Sequence, residues 1–316
     1  MRHPMLYTLA AVIAAAPLGA AWAASGDAPV SPNGAMAAPR AEAGSVIAPT
    51  LGTGSADPGE LRSRGATLVG EQAVEANGLA TVAYGKIGAK GESIINWDSR
   101  TRSYTLNYPT RAIVYIEYGG GHLCTGWMYA NNMVATAGHC VHTGGSSGSW
   151  RSAANFRVYP GRDGSSSPYG SCGVTRLYSV AGWVSSGNYQ YDYAAMRLNC
   201  TIGATVGTFG MYDDTSPIGH PAIIGGYPGD KPKTQWTSAD KIRTASSTML
   251  AYRMDTVGGH SGSPIWHDRS EALSSNGAWA IGVHNYGVGA IGSTMNGAAR
   301  LNATRISNYN YWRTAP

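Results

Sequence analysis

The chain has 316 residues, including 43 Gly and 2 Phe, with 13% charged residues and a formal net charge of +5. A hydrophobic content of 43% is enough to bury a sizeable core, which excludes wholesale disorder. The glycines have no three-residue period, excluding collagen, and no Lys/Arg-rich run exists, so nucleic acid is not an expected partner.

Residues 1–23 begin with Arg2 and His3, continue through an apolar run from Leu6 to Leu18, and end on Ala21-Trp22-Ala23. That order is the anatomy of a secretory signal peptide. A membrane anchor is the competing reading, but the run contains Pro17 and falls short of the roughly 20 residues of a spanning helix. The expected product is secreted and extracellular, with no membrane partner.

Residues 24–92 are rich in Ala, Gly, Pro and Ser, and Tyr84 is their only aromatic residue. Such a stretch has little to bury, and it reads as a propeptide ahead of one folded unit, with a flexible linker as the bland alternative. Residues 93–316 hold 17 of the 19 Tyr, 8 of the 9 Trp and both Phe. They carry 17 basic and 11 acidic residues, a net +6.

Within 93–316, short apolar runs rich in β-branched and aromatic residues recur between Gly, Ser, Asn and Pro. Residues 112–118, 155–159, 222–226 and 278–284 are examples. Many short strands with turn signals predict an all-β protein. Residues 302–312 are the one segment read as a surface helix, with Thr304 as its cap.

Cys124, Cys140, Cys172 and Cys200 all fall in this part, and an even count behind a signal peptide predicts disulfides, with three connectivities open. No C-x-x-C pair marks a zinc site, so no metal or other cofactor is expected, and a structural calcium ion on a surface loop is left as an open alternative.

Three segments carry chemistry. Gly258-Gly259-His260-Ser261-Gly262-Ser263-Pro264 sets a serine among glycines. A serine hydroxyl needs a base to become a nucleophile, and the resulting oxyanion needs donors. Glycines let the N–H groups of Gly259 and Ser261 converge without a Cβ between them. Val134-Ala135-Thr136-Ala137-Gly138-His139-Cys140 offers the base in His139. Tyr191-Asp192-Tyr193-Ala194-Ala195-Met196 places Asp192 in apolar surroundings, where a carboxylate needs a partner. Each has a bland reading alone: a Gly/Ser turn, a structural histidine, an edge-strand aspartate. Together they fill nucleophile, base and orienting acid, in the order His, Asp, Ser.

These three motifs resemble those of the chymotrypsin-like serine proteases. More narrowly, 93–316 resembles the secreted bacterial glutamyl endopeptidases. That likeness lies in Ser93-Ile94-Ile95, Asp98-Ser99-Arg100-Thr101-Arg102, Cys124-Thr125-Gly126-Trp127 and Tyr159-Pro160-Gly161-Arg162. It continues in Gly226-Tyr227-Pro228-Gly229-Asp230-Lys231-Pro232 and Ile281-Gly282-Val283-His284-Asn285. The resemblance implies an all-β, chymotrypsin-like double six-stranded β-barrel with a short C-terminal helix. The barrels would span about 93–200 and 201–300, with His139 and Asp192 on the first and Ser261 on the second. It also implies a Cys124–Cys140 bridge, which leaves Cys172 with Cys200.

The implied activity is hydrolysis of protein and peptide bonds after Glu, less readily after Asp, by a monomer. A pocket for a glutamate side chain must stabilise a buried carboxylate, and the resemblance points to Thr256 and His284. His260 departs from the pattern, because many trypsin-like enzymes have an aspartate there that captures the new N-terminal ammonium. In similar enzymes the released N-terminus instead helps to bind the substrate carboxylate, a role that would fall to Ser93 after cutting between Glu92 and Ser93. Glu occurs at 42, 60, 71, 75 and 92 but afterwards only at 117 and 271, an arrangement that spares a glutamate-cutting enzyme. Two other readings stand: the same protease with another primary preference, separable by a peptide panel, and a catalytically silent protease-like binding module, separable by serine labelling.

Overall fold

The computed structural model of the chain describes residues 26–37, 39, 46–54, 92–268, 277–289 and 294–315; the leader read at 1–23 lies outside them. The first barrel uses β1 (Ile113–Tyr118), β2 (Gly121–Ala130), β3 (Met133–Thr136), β4 (Phe156–Pro160), β5 (Cys172–Val180) and β6 (Ala194–Leu198). Every neighbour is antiparallel: β1 pairs β2 and β4, β3 pairs β2 and β6, and β5 pairs β4 and β6. The ring therefore closes on itself, which removes the exposed edges of an open sheet. Its filling comes from the β-branched and aromatic residues that marked the strands, among them Val114, Ile116, Trp127, Val134, Phe156 and Leu177, all at most 1% exposed.

The second unit uses β7 (Pro221–Gly226), β8 (Trp236–Lys241), β9 (Thr244–Ala245), β10 (Met249–Tyr252), β11 (Pro264–Asp268), β12 (Ala278–Tyr286) and β13 (Asn296–Arg300). Its ladder runs β8-β7-β11-β12-β13-β10-β9. This is a half-barrel in its hydrogen bonds: Thr101–Arg102 pairs with the outer side of β8, and β8 and β9 are joined by the chain itself, through Ile242 and Arg243, not by a ladder. The expected pair of six-stranded barrels thus takes the form of one closed ring and one open one. Trp127, Phe209 and Trp266 stack edge-on across the seam, with centroids 5.5 and 5.6 Å apart.

The C-terminal helix covers Ala303–Thr314 and returns to the first barrel. Asn302, not Thr304, caps it, accepting from the Arg305 N–H at 3.1 Å. Nor is it a surface helix: Arg305, Ile306, Asn308, Tyr309 and Trp312 are fully buried, with Tyr309 against Tyr129 at 5.1 Å. The polar residues that made it look solvent-facing are satisfied inside.

Although poor in aromatics, the N-terminal segment packs on both units. Pro29–Ser31 extends the first sheet by pairing with β5, and Ile47 and Thr50 bridge to Met211 and Thr208. Disulfides join Cys124 to Cys140 and Cys172 to Cys200. Among the described residues, no helix is long and apolar enough to cross a membrane.

Candidate active site

His139 sits in a single 3-10 turn, Gly138–Cys140, directly after β3, and the Cys140 bridge ties that turn to β2. Asp192 closes another 3-10 turn, Tyr189–Tyr191, just before β6. Because β3 pairs β6, the two turns emerge side by side. His139 Nδ1 lies 2.7 Å from Asp192 Oδ2, and the His139 backbone N–H donates to Oδ1 at 2.8 Å. A Cβ on Gly138 would meet Asp192 Oδ1 at 2.9 Å and Trp183 at 2.8 Å, so the glycine before the histidine makes this approach sterically open.

Asp192 is wholly buried, and its surroundings supply what the sequence analysis demanded. Besides His139, the Tyr286 hydroxyl faces its carboxylate from β12, and Asn285 Nδ2 donates to its carbonyl at 3.1 Å. Burial alone would depress the His139 pKa, but the Asp192 charge and hydrogen bond overturn this and raise it, with Glu92 adding to the rise.

Ser261 lies in the turn that enters β11, with Gly259 at φ 103° and Gly262 at φ 89°, a backbone region open to glycine. A Cβ at Gly262 would meet Thr125 O and Thr136 Oγ1, each at 2.2 Å. The turn is pinned to the first barrel: Thr125 Oγ1 donates to Gly259 O at 2.8 Å, and the Thr125 N–H to Ser261 O at 2.9 Å. His260 is buried and neutral. Burial, with Arg100 adding to it, holds its pKa down to about 3. Its Nδ1 accepts from the Val257 N–H at 3.1 Å, and its own N–H donates to Val257 O at 3.0 Å. The histidine thus fastens the turn and brings no charge to it.

The Ser261 hydroxyl donates to Glu92 Oε1 at 2.5 Å, and among the described contacts no hydrogen bond joins it to His139. The carboxylate of Glu92 also faces the backbone N–H groups of His260 and Ser261. Ser261, one of the two expected oxyanion donors, is thus among the groups that face this carboxyl. His284 Nε2 stands 3.6 Å from the same Oε1. Burial pushes the Glu92 carboxyl up to about 7, against the Ser261 hydrogen bond and the His139 charge.

His284, in β12, is fully buried, and its pKa falls well below the usual imidazole range through burial, with His260 and His139 adding to this. Tyr252 Oη lies 2.6 Å from His284 Nδ1, which leaves Nε2 to face Glu92. His284 Nε2 and Glu92 Oε2 are buried without a hydrogen-bond partner, so polar capacity is left over in this pocket, and the buried Thr256 Oγ1 is likewise unpaired. Ser93 is held beside it. Its carbonyl accepts from the Thr256 N–H at 3.2 Å and from Asn296 Nδ2 at 2.7 Å. Asp255 then takes the N–H groups of Ile95 and Ser99, at 2.7 and 2.8 Å.

The further motifs of the glutamyl type also meet. Arg100 forms two hydrogen bonds to Asp230 of the Gly226–Pro232 stretch, at 2.9 and 2.6 Å, and reaches Asp98 through Nε at 2.8 Å. Sequence reasoning missed Tyr252, Tyr286, Asp255 and Asn296, since nothing in their local sequence marks them. It also missed Asp214, whose Oδ2 lies 2.8 Å from His220 Nδ1 and 3.1 Å from His267 Nε2. Burial raises the Asp214 pKa, but those two contacts outweigh it and hold the carboxyl below its usual range.

One closed and one open β-barrel, with serine, histidine and buried aspartate at their seam, define a chymotrypsin-like serine endopeptidase. The family model for Trypsin matches residues 98–312, and the chain belongs to that family. Within it, the chain is a homologue of the glutamyl endopeptidases. It is 43% identical to a glutamyl endopeptidase of Bacillus licheniformis, over 71% of this chain and 70% of the relative. It is 38% identical to a Bacillus subtilis protein called extracellular metalloprotease, over 70% of this chain and 69% of the relative. The solved structure of a Glu endopeptidase in complex with MPD superposes with a TM-score of 0.63 and 32% identity, covering 70% of this chain and 99% of that one.

Proposed function

We propose that this chain is the precursor of a secreted glutamyl endopeptidase, cut between Glu92 and Ser93, which then hydrolyses peptide bonds after Glu and less readily after Asp. The observation that carries the reading is the placement of Glu92 itself. A glutamate side chain only 6% exposed already fills the pocket between Ser261 and His284. Ser93 beside it is tied to Thr256 and Asn296, so the bond at the proposed cut adjoins the pocket that would read its glutamate.

In the working enzyme a substrate glutamate takes the place of Glu92. Neutral His284 serves this pocket as a donor. With Tyr252 O–H donating to Nδ1, the ring proton stays on Nε2, where a bare lone pair would repel a carboxylate. Thr256 Oγ1 supplies a second donor. His139 takes the Ser261 proton as Oγ attacks the carbonyl, and Asp192 holds the ring's tautomer and stabilises the imidazolium. The Ser261 N–H and its neighbouring backbone donors stabilise the oxyanion. In the uncut chain a carboxylate oxygen, which is no electrophile, occupies the serine hydroxyl, so the precursor is plugged.

Cleavage of peptides differing only before the scissile bond tests the specificity. Glu should exceed Asp, and both should far exceed Gln and Lys; a preference for any other residue overturns it. Intact-mass and N-terminal analysis of the Glu92→Gln precursor tests maturation by the enzyme itself. The variant should stay uncut when no other protease is present, and normal processing would refute self-cleavage.

A further inference from the structure

Residues 26–37 and 46–54 are placed in neither the triad nor the glutamate pocket, yet they are seated in a built site. The N–H groups of Ala181 and Gly182 donate to the carbonyls of Ala28 and Gly26, both at 2.8 Å, continuing the pairing of Pro29 and Val30 with β5. Between those two carbonyls, Asp27 enters a socket. Its Oδ1 accepts from Tyr193 Oη at 2.8 Å and from Arg305 Nε at 3.2 Å, and its carbonyl accepts from Asn308 Nδ2 at 2.8 Å. Tyr193, Arg305 and Asn308 are each fully buried. The other donors of Arg305 go to the carbonyls of Thr248, Arg300 and Gln190. Among the described residues, Asp27 is the one carboxylate paired with this guanidinium.

A buried guanidinium stripped of its counter-charge is strongly unfavourable. A socket built from a guanidinium, a phenol and an amide recognises a carboxylate on an extended strand, with main-chain pairing for affinity. Further along, the Ile47 N–H donates to Met211 O at 3.0 Å, the Thr50 N–H to Thr208 O at 3.1 Å, and Arg111 Nη2 to Leu51 O at 2.6 Å. None of these contacts involves the peptide between Glu92 and Ser93.

We propose that residues 26–54 remain on the enzyme after the cut as a non-covalent strap, held by Asp27 in the carboxylate socket of Tyr193, Arg305 and Asn308. The strap also positions Asp192. Tyr193 follows Asp192 directly, Arg305 grips Gln190 O, and the backbone of Gly26 lies so close to the Tyr191 ring that a Cβ would sit 2.3 Å from it. Removing the strap loosens the whole turn that carries the acid. The inference rests on the proposed maturation at Glu92–Ser93, and its test is arranged to separate the two.

The recognition sequence of an unrelated, sequence-specific protease is placed between residues 60 and 85 of the full chain carrying Ser261→Ala. After cutting there, native mass spectrometry and gel filtration should find the N-terminal fragment and the domain together, one to one. With Asp27→Ala the fragment should leave roughly 30-fold faster or more, as expected when one partner of a buried charge pair is removed. A fragment that elutes free from the Asp27 chain, or that stays equally well without the Asp27 carboxylate, overturns the strap. Because this cut bypasses Glu92–Ser93, failure of self-maturation leaves its result intact. In the active, cut enzyme, washing the fragment off should lower kcat with little change in KM. A synthetic peptide of residues 26–54 should restore kcat and its Asp27→Ala version should not; equal rescue by both also overturns the proposal.

Discussion

Tyr252→Phe isolates the step that, on the proposed function, makes His284 a carboxylate reader. The change removes one oxygen, 2.6 Å from His284 Nδ1, in a site where both side chains are fully buried. The ring then keeps a buried nitrogen without its donor, which costs about 1–3 kcal/mol. It is also free to carry its proton on Nδ1, turning the Nε2 lone pair toward the substrate. At 1.36 kcal/mol per tenfold, the loss is roughly 5- to 150-fold in kcat/KM. It should fall on substrates that bring a carboxylate and largely spare those that do not. The assay is kcat/KM for the activated enzyme on two peptides differing only in Glu or Gln before the scissile bond. The Glu-to-Gln ratio should drop roughly fivefold or more, and the unfolding midpoint should fall by several degrees from the same unpaired nitrogen. An unchanged ratio, or an equal fall for both peptides, refutes the assigned role of Tyr252.

Three further outcomes follow from the geometry. Asp192→Asn should lower kcat by about 10⁴ with KM little affected, because the amide favours the wrong His139 tautomer; a loss below tenfold would contradict the roles given to this pair. Docked Glu92 keeps its proton up to about pH 7, whereas an exposed one releases it near 4.5. Raising the pH through that window therefore weakens docking, by up to about 3 kcal/mol, and thermal unfolding should show the uncut chain losing ground to its Glu92→Gln variant between pH 4.5 and 7 and no further above it. Replacing Cys172 and Cys200 together with Ser removes a bridge of sequence separation 28, costing about 3.6 kcal/mol in thermal unfolding, while the pH profile of kcat stays in place. The same change at Cys124 and Cys140 should also disturb activity, since that bridge anchors the His139 turn.

What was legible in the sequence was what chemistry forces into neighbouring residues. Gly259 and Gly262 flank Ser261 because side chains there would strike His122, Thr125 and Thr136, and Gly138 precedes His139 because a Cβ would strike Asp192. Those constraints are local, so they leave motifs. Tyr252, Tyr286 and Asn296 act across sheets from distant positions, and a tyrosine in a strand looks the same whether it orients a histidine or fills a core. The C-terminal helix misled for a related reason. Arg305 and Asn308 carry the polarity of a surface face, and only a carboxylate 278 residues away in sequence, Asp27, explains how they are buried. The choice between Asn302 and Thr304 as the cap was of another kind, two capping residues within one turn, where sequence seldom fixes a boundary.

His260 bears on how the proposed precursor would be kept silent. A carboxylate there would need the new N-terminal ammonium to settle the Ser261 turn. Neutral His260 has no use for that charge, and the uncut chain already has the turn in order through Val257, through Thr125 with Gly259 and Ser261, and through the Gly262 N–H on His284 O at 2.7 Å. Ser93 and Ile95 are likewise held by Thr256, Asn296 and Asp255 before any bond is broken. Among the described contacts, the backbone of the Ser261 turn is therefore already in place, and the Ser261 hydroxyl has only to leave Glu92 for His139. If Glu92–Ser93 is the cut, what separates the precursor from the enzyme is one occupant, the Glu92 carboxyl group, lodged on the nucleophile in the pocket proposed to read glutamate. On the proposed reading, cutting the chain removes an inhibitor instead of assembling a site, and the residue that blocks the enzyme is of the type that it cuts after.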